Sequence, residues 1–298
     1  MGITGRQVIG VDLGGSAIKL GRFAESGQCL ADLTVLTPQP STPGAVIAAI
    51  ADAIATLDPH QSAVAIGVGT PGPADAQGRI ARVAINLAGW HDVPLADQLE
   101  AKTGRPVIVA NDANCAGLGE AWLGAGRDCT DVIMLTLGTG VGGAIILGGQ
   151  LFVGRQGTAG ELGLMTLNPD GPPCNSGNQG SLEQYCSVQA IQRETGLTPA
   201  ALFDQANAGD GDAIALWQTY GRWLGAGIAN LVYVLTPEVV IIGGGISAAA
   251  ALFLPTTLAE LETRVLPSSR QGLRVLVAEL GNQAGIAGAA RLAFQQYD

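Results

Sequence analysis

Asn111-Asp112 follows the apolar run Val107–Ala110 and stands where a helix begins. Two readings of Asp112 are open from this pattern. It is a helix N-cap, a position where Asp is favoured, or it is a general base at the mouth of a cleft. Two glycine-rich turns offer a second kind of chemistry. Val8–Leu13 ends in Asp12-Leu13-Gly14-Gly15-Ser16, and Val132–Leu137 runs into Gly138-Thr139-Gly140-Val141-Gly142-Gly143. A second strand-like run follows each, Ala17–Phe23 and Ala144–Leu147, so each unit is a hairpin with glycines at its tip. Glycine leaves consecutive backbone N–H groups unblocked, and such groups form a nest for phosphate oxygens. Asp12 could hold Mg²⁺, mostly through water, and the Thr139 hydroxyl could donate to a phosphate. One tip alone reads as an ordinary hairpin with glycines for φ > 0. Two tips, both with small polar residues, favour phosphate binding. Glu161 and Glu183 are lone carboxylates in glycine-rich surroundings, where solvated surface is the default.

Other motifs fail on context. Gly138-x-Gly140-x-x-Gly143 matches a dinucleotide fingerprint, which needs a helix next, and a strand-like run follows instead. Ser16-x-x-Lys19, Ser176-x-Asn178 and Lys102-Thr103-Gly104 imitate the β-lactamase set in the wrong order. His60 and His91, the only two histidines, fall in loop-like segments, which argues against a histidine-based metal site or triad.

The elements that must position these residues alternate between strand and helix, which predicts an α/β fold. Val64–Val68 runs into Gly69-Thr70-Pro71-Gly72-Pro73, and Val239–Ile242 into Gly243-Gly244-Gly245-Ile246-Ser247. The chain thus says one thing twice: a hairpin and, later, a strand with a glycine-rich exit. Val46, Ile50, Ile54 and Leu57 share one helical face, as do Cys115, Leu118 and Trp122. The longest helical pattern spans about Asp212–Leu235 and is stopped by Pro237. A last helix, about Ala284–Gln295, follows the strand Leu273–Glu279. Two similar α/β domains with a cleft between them are expected: a small one over 1–112 and a larger one over 113–283. The final segment 284–298 would pack back on the first domain.

The 298 residues suffice for two cores. A net charge of −10 without a basic run gives no basis for nucleic-acid or anionic-membrane binding. An acidic protein that binds a nucleotide must build its phosphate site locally, from backbone N–H groups and Mg²⁺. Five cysteines without a CxxC pair, and no signal peptide, predict reduced thiols in a cytoplasmic protein. Residues 132–154 lack charge and have the length of a membrane span, but seven glycines make them a buried hairpin.

Taken together, these segments resemble the ROK family (repressors, open reading frames and sugar kinases), within the actin-like ATPase superfamily. Asp12-Leu13-Gly14-Gly15-Ser16 and Leu137–Gly143 resemble its two phosphate loops, and Gly243-Gly244-Gly245-Ile246-Ser247 its adenosine-side loop. Asn111-Asp112-Ala113-Asn114 is similar to its catalytic segment, and Ala159-Gly160-Glu161-Leu162-Gly163 to its sugar-binding Glu-x-Gly-His element. The resemblance implies two actin-like domains and transfer of phosphate from ATP, with Mg²⁺, to a hexose, foremost glucose. It implies Asp112 as general base, and Asn111, Glu161, Glu183, Gly72 and Asn86 as sugar contacts. It places the nucleotide against Asp12, Gly14, Gly15, Ser16, Lys19, Gly138, Thr139, Gly140, Gly244 and Gly245. A homodimer is expected. N-acetylhexosamine, fructose or allose kinase, or a non-catalytic sugar sensor, are the alternatives. ROK repressors carry an N-terminal helix-turn-helix, whereas the first strand here begins near Val8.

One departure is clear. The family's zinc site uses the His of Glu-x-Gly-His and three Cys of Cys-x-Cys-Gly-x-x-Gly-Cys-x-Glu. Here Cys174 keeps its place, Ser176 and Ser181 replace the other thiols, and Leu164 replaces the His. One ligand of four does not hold structural zinc, so no zinc is expected. The family His also touches the sugar.

Overall fold

The computed structural model describes residues 5–84 and 86–297. The first half supplies β1 (Gln7–Leu13), β2 (Ala17–Ala24), β3 (Cys29–Leu36), α1 (Pro43–Leu57), β4 (Ala65–Thr70), β5 (Ala81–Val83), β6 (His91–Val93), α2 (Leu95–Thr103) and β7 (Val107–Asn111). Then come α3 (Asp112–Leu123), β8 (Val132–Leu137), β9 (Val141–Leu147), β10 (Gln150–Leu151), α4 (Glu183–Cys186), α5 (Val188–Thr195) and α6 (Pro199–Asn207). The chain closes with α7 (Gly211–Leu235), β11 (Val239–Gly243), α8 (Ala250–Arg264), β12 (Arg274–Val277) and α9 (Ala284–Gln296).

The duplication read from the sequence is a duplication of topology. One sheet has the order β3-β2-β1-β4-β7 and the other β10-β9-β8-β11-β12. In each, an antiparallel hairpin leads into parallel strands. The central strands β4 and β11 are buried at every position, as strands covered on both faces must be. β3 is an edge strand with half its residues exposed.

Helices cover the sheets in layers. α1 and α2 bury Ile47, Ile50, Ile54 and Leu99 against one face of the first sheet. On its other face lies α9, with Ile286, Ala290 and Phe294 beside Val8 and Ala65. α7 and α8 cover the second sheet, centred on fully buried Trp217, whose ring lies 5.4 Å from Tyr220 and 5.9 Å from Phe253. α3 covers the opposite face of that sheet. α3 and α9 therefore lie between the two sheets and pack on each other. Their backbones touch: a Cβ on Gly288 would run into the carbonyl of Cys115.

Local signals fixed several boundaries. α7 starts at Asp210, whose side chain accepts from the N–H groups of Asp212 and Ala213. It ends at Leu235, with Thr236 left-handed just before Pro237. His91 opens the short strand β6 rather than sitting in a loop, because Ala81 and Val83 pair with Val93 and His91. Among the described residues, no helix is long and apolar enough to cross a membrane.

Candidate active site

The junction of β7 and α3 is the centre of the site. Asn111 is the N-cap: its Oδ1 accepts from the N–H of Ala113 at 2.9 Å and of Asn114 at 3.2 Å. Its Nδ2 donates to the Gly72 carbonyl at 3.1 Å, tying the cap to the loop after β4. Asp112 is therefore not the cap. It is the first helical residue, and its Oδ1 accepts from the Ala113 N–H at 2.8 Å. The capping reading belongs to its neighbour, and the Asp112 carboxylate opens onto a cleft.

That carboxylate is solvent-exposed but has protein on both sides of a concave surface. Loss of surrounding water raises its pKa above the ordinary carboxylate value. The Ala113 N–H opposes the rise, the charge of Asp12 adds to it, and Asn111 opposes it again. Asp12 lies on β1 opposite Lys19 on β2, with the ammonium 4.0 Å from its carboxylate. Burial raises the pKa of Asp12 too, against the pull of Lys19.

Two cavities flank Asp112. The first, about 370 Å³, is lined by Asn111, Asp112, Asn114, Gly138, Thr139, Gly140, Glu161, Glu183 and Gly244, among others. The second, about 510 Å³, is lined by Asp12, Lys19, Asp112, Glu120, Gly244, Gly245 and the segment around Gly285. Asp112, Ala113, Thr136 and Gly244 border both. Glu183, the first residue of α4, accepts from the Val141 N–H at 2.9 Å, which locks α4 onto the second hairpin tip. Gly140 leaves room for this carboxylate, which a Cβ there would strike. Glu161 is exposed on the cleft wall; burial, then repulsion from Glu183, raises its pKa.

Not every predicted residue lines a cavity. Gly14, Gly15 and Ser16 lie beyond both, and the Gly14 N–H is already committed to the Ala17 carbonyl at 3.0 Å. The Gly138 N–H is likewise committed to the Gly140 carbonyl. Neither contributes to an open nest here, because each closes its own hairpin turn. Gly72 acts through its carbonyl on Asn111, and Asn86 is an exposed residue beside Gly15. Three residues escaped the site prediction. Thr136 borders both cavities, signalled only as a lone polar residue in an apolar strand. Asn114 is 3% exposed, lines the first cavity and has a buried Oδ1 without a partner. Glu120 is fully buried, and its carboxylate accepts from the N–H groups of Ala125, Glu279 and Leu280 at 2.9, 3.1 and 2.7 Å.

The profile of the ROK family matches residues 8–296. The chain belongs to the ROK family. It is 36% identical to a glucokinase of Thermotoga maritima, over 96% of each chain. Among solved structures it resembles the ROK hexokinase of Thermus thermophilus, with a TM-score of 0.88, 35% identity, and coverage of 97% of this chain and 98% of that one. It also resembles a ROK family glucokinase from Streptomyces griseus in complex with glucose and AMPPNP, with a TM-score of 0.78, 36% identity and coverage of 97% and 99%. The two five-stranded sheets are thus the two actin-like domains of ROK kinases.

The zinc expected of a ROK kinase does not fit this chain. The ligand positions carry Leu164, Cys174, Ser176 and Ser181. Cys174 accepts a hydrogen bond from the Ser176 hydroxyl at 3.3 Å. The Ser181 hydroxyl is buried and lies against the Cys174 thiol, and a neutral hydroxyl is a poor zinc ligand. Among the described residues, no group of three or more His, Cys, Asp or Glu could hold a metal ion.

Proposed function

We propose that the protein phosphorylates the 6-hydroxyl of a hexose, foremost glucose, from ATP, with Asp112 as general base. The chain is a hexose kinase, a transferase with an alcohol group as acceptor. The observation that carries the residue assignment is that Asp112 borders both cavities, so one carboxylate reaches an acceptor in the first and faces a donor in the second.

Phosphoryl transfer asks a protein for positioning and charge neutralisation more than for covalent chemistry. Asp112 accepts the hydroxyl proton as the sugar oxygen attacks; its raised pKa suits the task, because a stronger base takes the proton more readily. Glu161 and Glu183 accept from sugar hydroxyls, which are donors that a pair of repelling carboxylates needs. Asn111 has its oxygen engaged by the helix and one amide hydrogen on Gly72, and its amide also steadies the Asp112 carboxylate, so it holds the base in place beside the sugar. The nucleotide occupies the second cavity, with Gly244 and Gly245 at its adenosine side, and its terminal phosphate points past Asp112 toward Thr139, which lines the first.

Asp12 holds Mg²⁺ with the nucleotide. The donor chemistry supports this: Asp12 and Asp112 line one cavity with raised pKa values, and the one ammonium there, Lys19, stands 4.0 Å from Asp12, an environment short of positive charge. The ion supplies neutralisation of the phosphate oxygens. The division into 1–112 with 284–298, and 113–283, lets the lobes close on the sugar and exclude competing water. A coupled assay over a panel of hexoses and N-acetylhexosamines, with ATP or polyphosphate as donor, tests the reading. Glucose with MgATP should give the highest kcat/KM. A protein that binds sugars yet transfers phosphate to none of them would be a sensor.

A further inference from the structure

The loss of three of the four zinc ligands raises a question of construction. The segment carrying Glu161 and the segment carrying Glu183 must be held together; besides backbone bonds such as the Leu167 N–H to the Gly180 carbonyl at 2.8 Å, one amide side chain spans them. The Asn178 Nδ2 donates to the carbonyl of Leu164 at 2.9 Å. The Asn178 Oδ1 accepts from the Thr166 hydroxyl at 3.1 Å and from the Gln179 N–H at 2.8 Å. Leu164 is the position where the family's histidine would stand, and its N–H donates to the Glu161 carbonyl at 3.1 Å. Beyond Asn178, Thr166 bridges Ser181, and the Leu182 N–H donates to the Met165 carbonyl at 2.8 Å, next to Glu183.

We propose that Asn178 is the positioning residue that replaces the metal: its side chain pins the 164–166 segment to the 174–181 loop and so sets the placement of Glu161 and Glu183 on the sugar. The inference rests on the hexose-kinase reading for its substrate. Asn178 spends one donor and both acceptor directions on three partners, so it is held rigidly. Those partners lie on the segments that a metal would otherwise clamp. A carbonyl replaces an imidazole as the anchored group, which is why Leu164 is tolerated there: only its backbone is used. Asn178 lines neither cavity, so it acts through the two glutamates and not on the sugar itself.

The test compares wild type with Asn178→Ala and Asn178→Asp as full-length proteins. Asp keeps the acceptors and loses the donor to Leu164, so the two variants separate that bond from the rest. Both should raise the glucose KM and the calorimetric glucose Kd by about tenfold or more. The kcat and the KM for ATP should stay within about threefold, and hydrogen exchange of amides 165–181 should accelerate in the sugar-free protein. Adding the ligand set Leu164→His, Ser176→Cys and Ser181→Cys should bring in stoichiometric zinc and shrink the Asn178→Ala penalty. Untouched glucose KM and Kd in both variants would overturn the proposal, as would stoichiometric zinc in the wild-type protein. If Asn178→Ala fails to fold, Asn178→Asp carries the comparison. Failure of the hexose-kinase reading looks different: wild type would then bind glucose without turning it over, and the Kd and exchange measurements still decide the role of Asn178.

Discussion

Replacing Asp112 by Asn separates the base from the helix start. The cap is supplied by Asn111, and the amide oxygen at 112 can still accept from the Ala113 N–H. Shape and local hydrogen bonding therefore survive, and what is lost is the ability to take a proton. General-base catalysis contributes about 10²–10⁴-fold, or roughly 2.7–5.5 kcal/mol of barrier at about 1.36 kcal/mol per decade. The expected result is a kcat lowered by that range in a coupled assay for ADP release, with glucose Kd within about threefold by calorimetry.

Stability moves the other way. A carboxyl whose pKa is raised on folding binds its proton more tightly in the folded protein. Its contribution to stability is fully present below the unfolded pKa and is lost as pH rises through the folded one. At neutral pH the ionised Asp112 thus costs stability, so Asp112→Asn should hold or raise Tm at pH 7. That advantage should vanish in acid. A variant that keeps turnover within about threefold of wild type, against the range above, would refute the assignment and leave Asp112 as a first-turn carboxylate favoured by the helix dipole.

Three further outcomes follow from the same contacts. Asp12→Asn removes the like charge that helps raise Asp112, so the acid limb of the residual kcat/KM profile should move to lower pH while the KM for MgATP rises. Glu120→Gln turns an N–H toward backbone N–H groups of Ala125, Glu279 or Leu280. It should lower stability by about 1–3 kcal/mol in urea titration and raise the KM for ATP but not for glucose. Gly140→Ala drives a methyl into the Glu183 carboxylate and off the Val141 N–H, so glucose KM should rise with the fold retained by circular dichroism.

The hairpins, the doubled plan and α3 were legible because each rests on short-range signals: apolar runs, glycine at turns and a capping residue at a helix start. The division of labour between Asn111 and Asp112 was not, because both residue types cap well and only the backbone geometry at 111 decides. Which hairpin-tip N–H groups stay free was hidden for a related reason: composition shows that a glycine N–H is unshielded, but not that Gly14 has given its own to Ala17 and Gly138 its own to Gly140. Glu120 and Asn178 were silent because their partners are remote or non-periodic. Glu120 meets N–H groups about 160 residues later, and Asn178 sits in a loop without repeating pattern. β3 and the β5–β6 pair were missed since exposed, mixed-polarity strands carry little hydrophobic signal.

The electrostatics of the site explain how so acidic a chain could receive a polyanion. The linings of the two cavities hold Asp12, Asp112, Glu120, Glu161 and Glu183, and one cation, Lys19. No basic field draws the nucleotide in. Glu120 is satisfied by backbone N–H groups, but Asp12, Asp112 and Glu161 all have raised pKa values, which means that their charged forms are under-compensated in the sugar-free, metal-free protein. Each proposed ligand relieves one part of that deficit: a divalent ion beside Asp12, and hydroxyl donors on Glu161 and Asp112. The burial of these carboxylates, with the smaller repulsion of Asp112 by Asp12 and of Glu161 by Glu183, therefore lowers the stability of the ionised free protein and favours sugar and metal–nucleotide together. It gives the two cavities a shared electrostatic reason to fill in concert, through the one carboxylate they have in common.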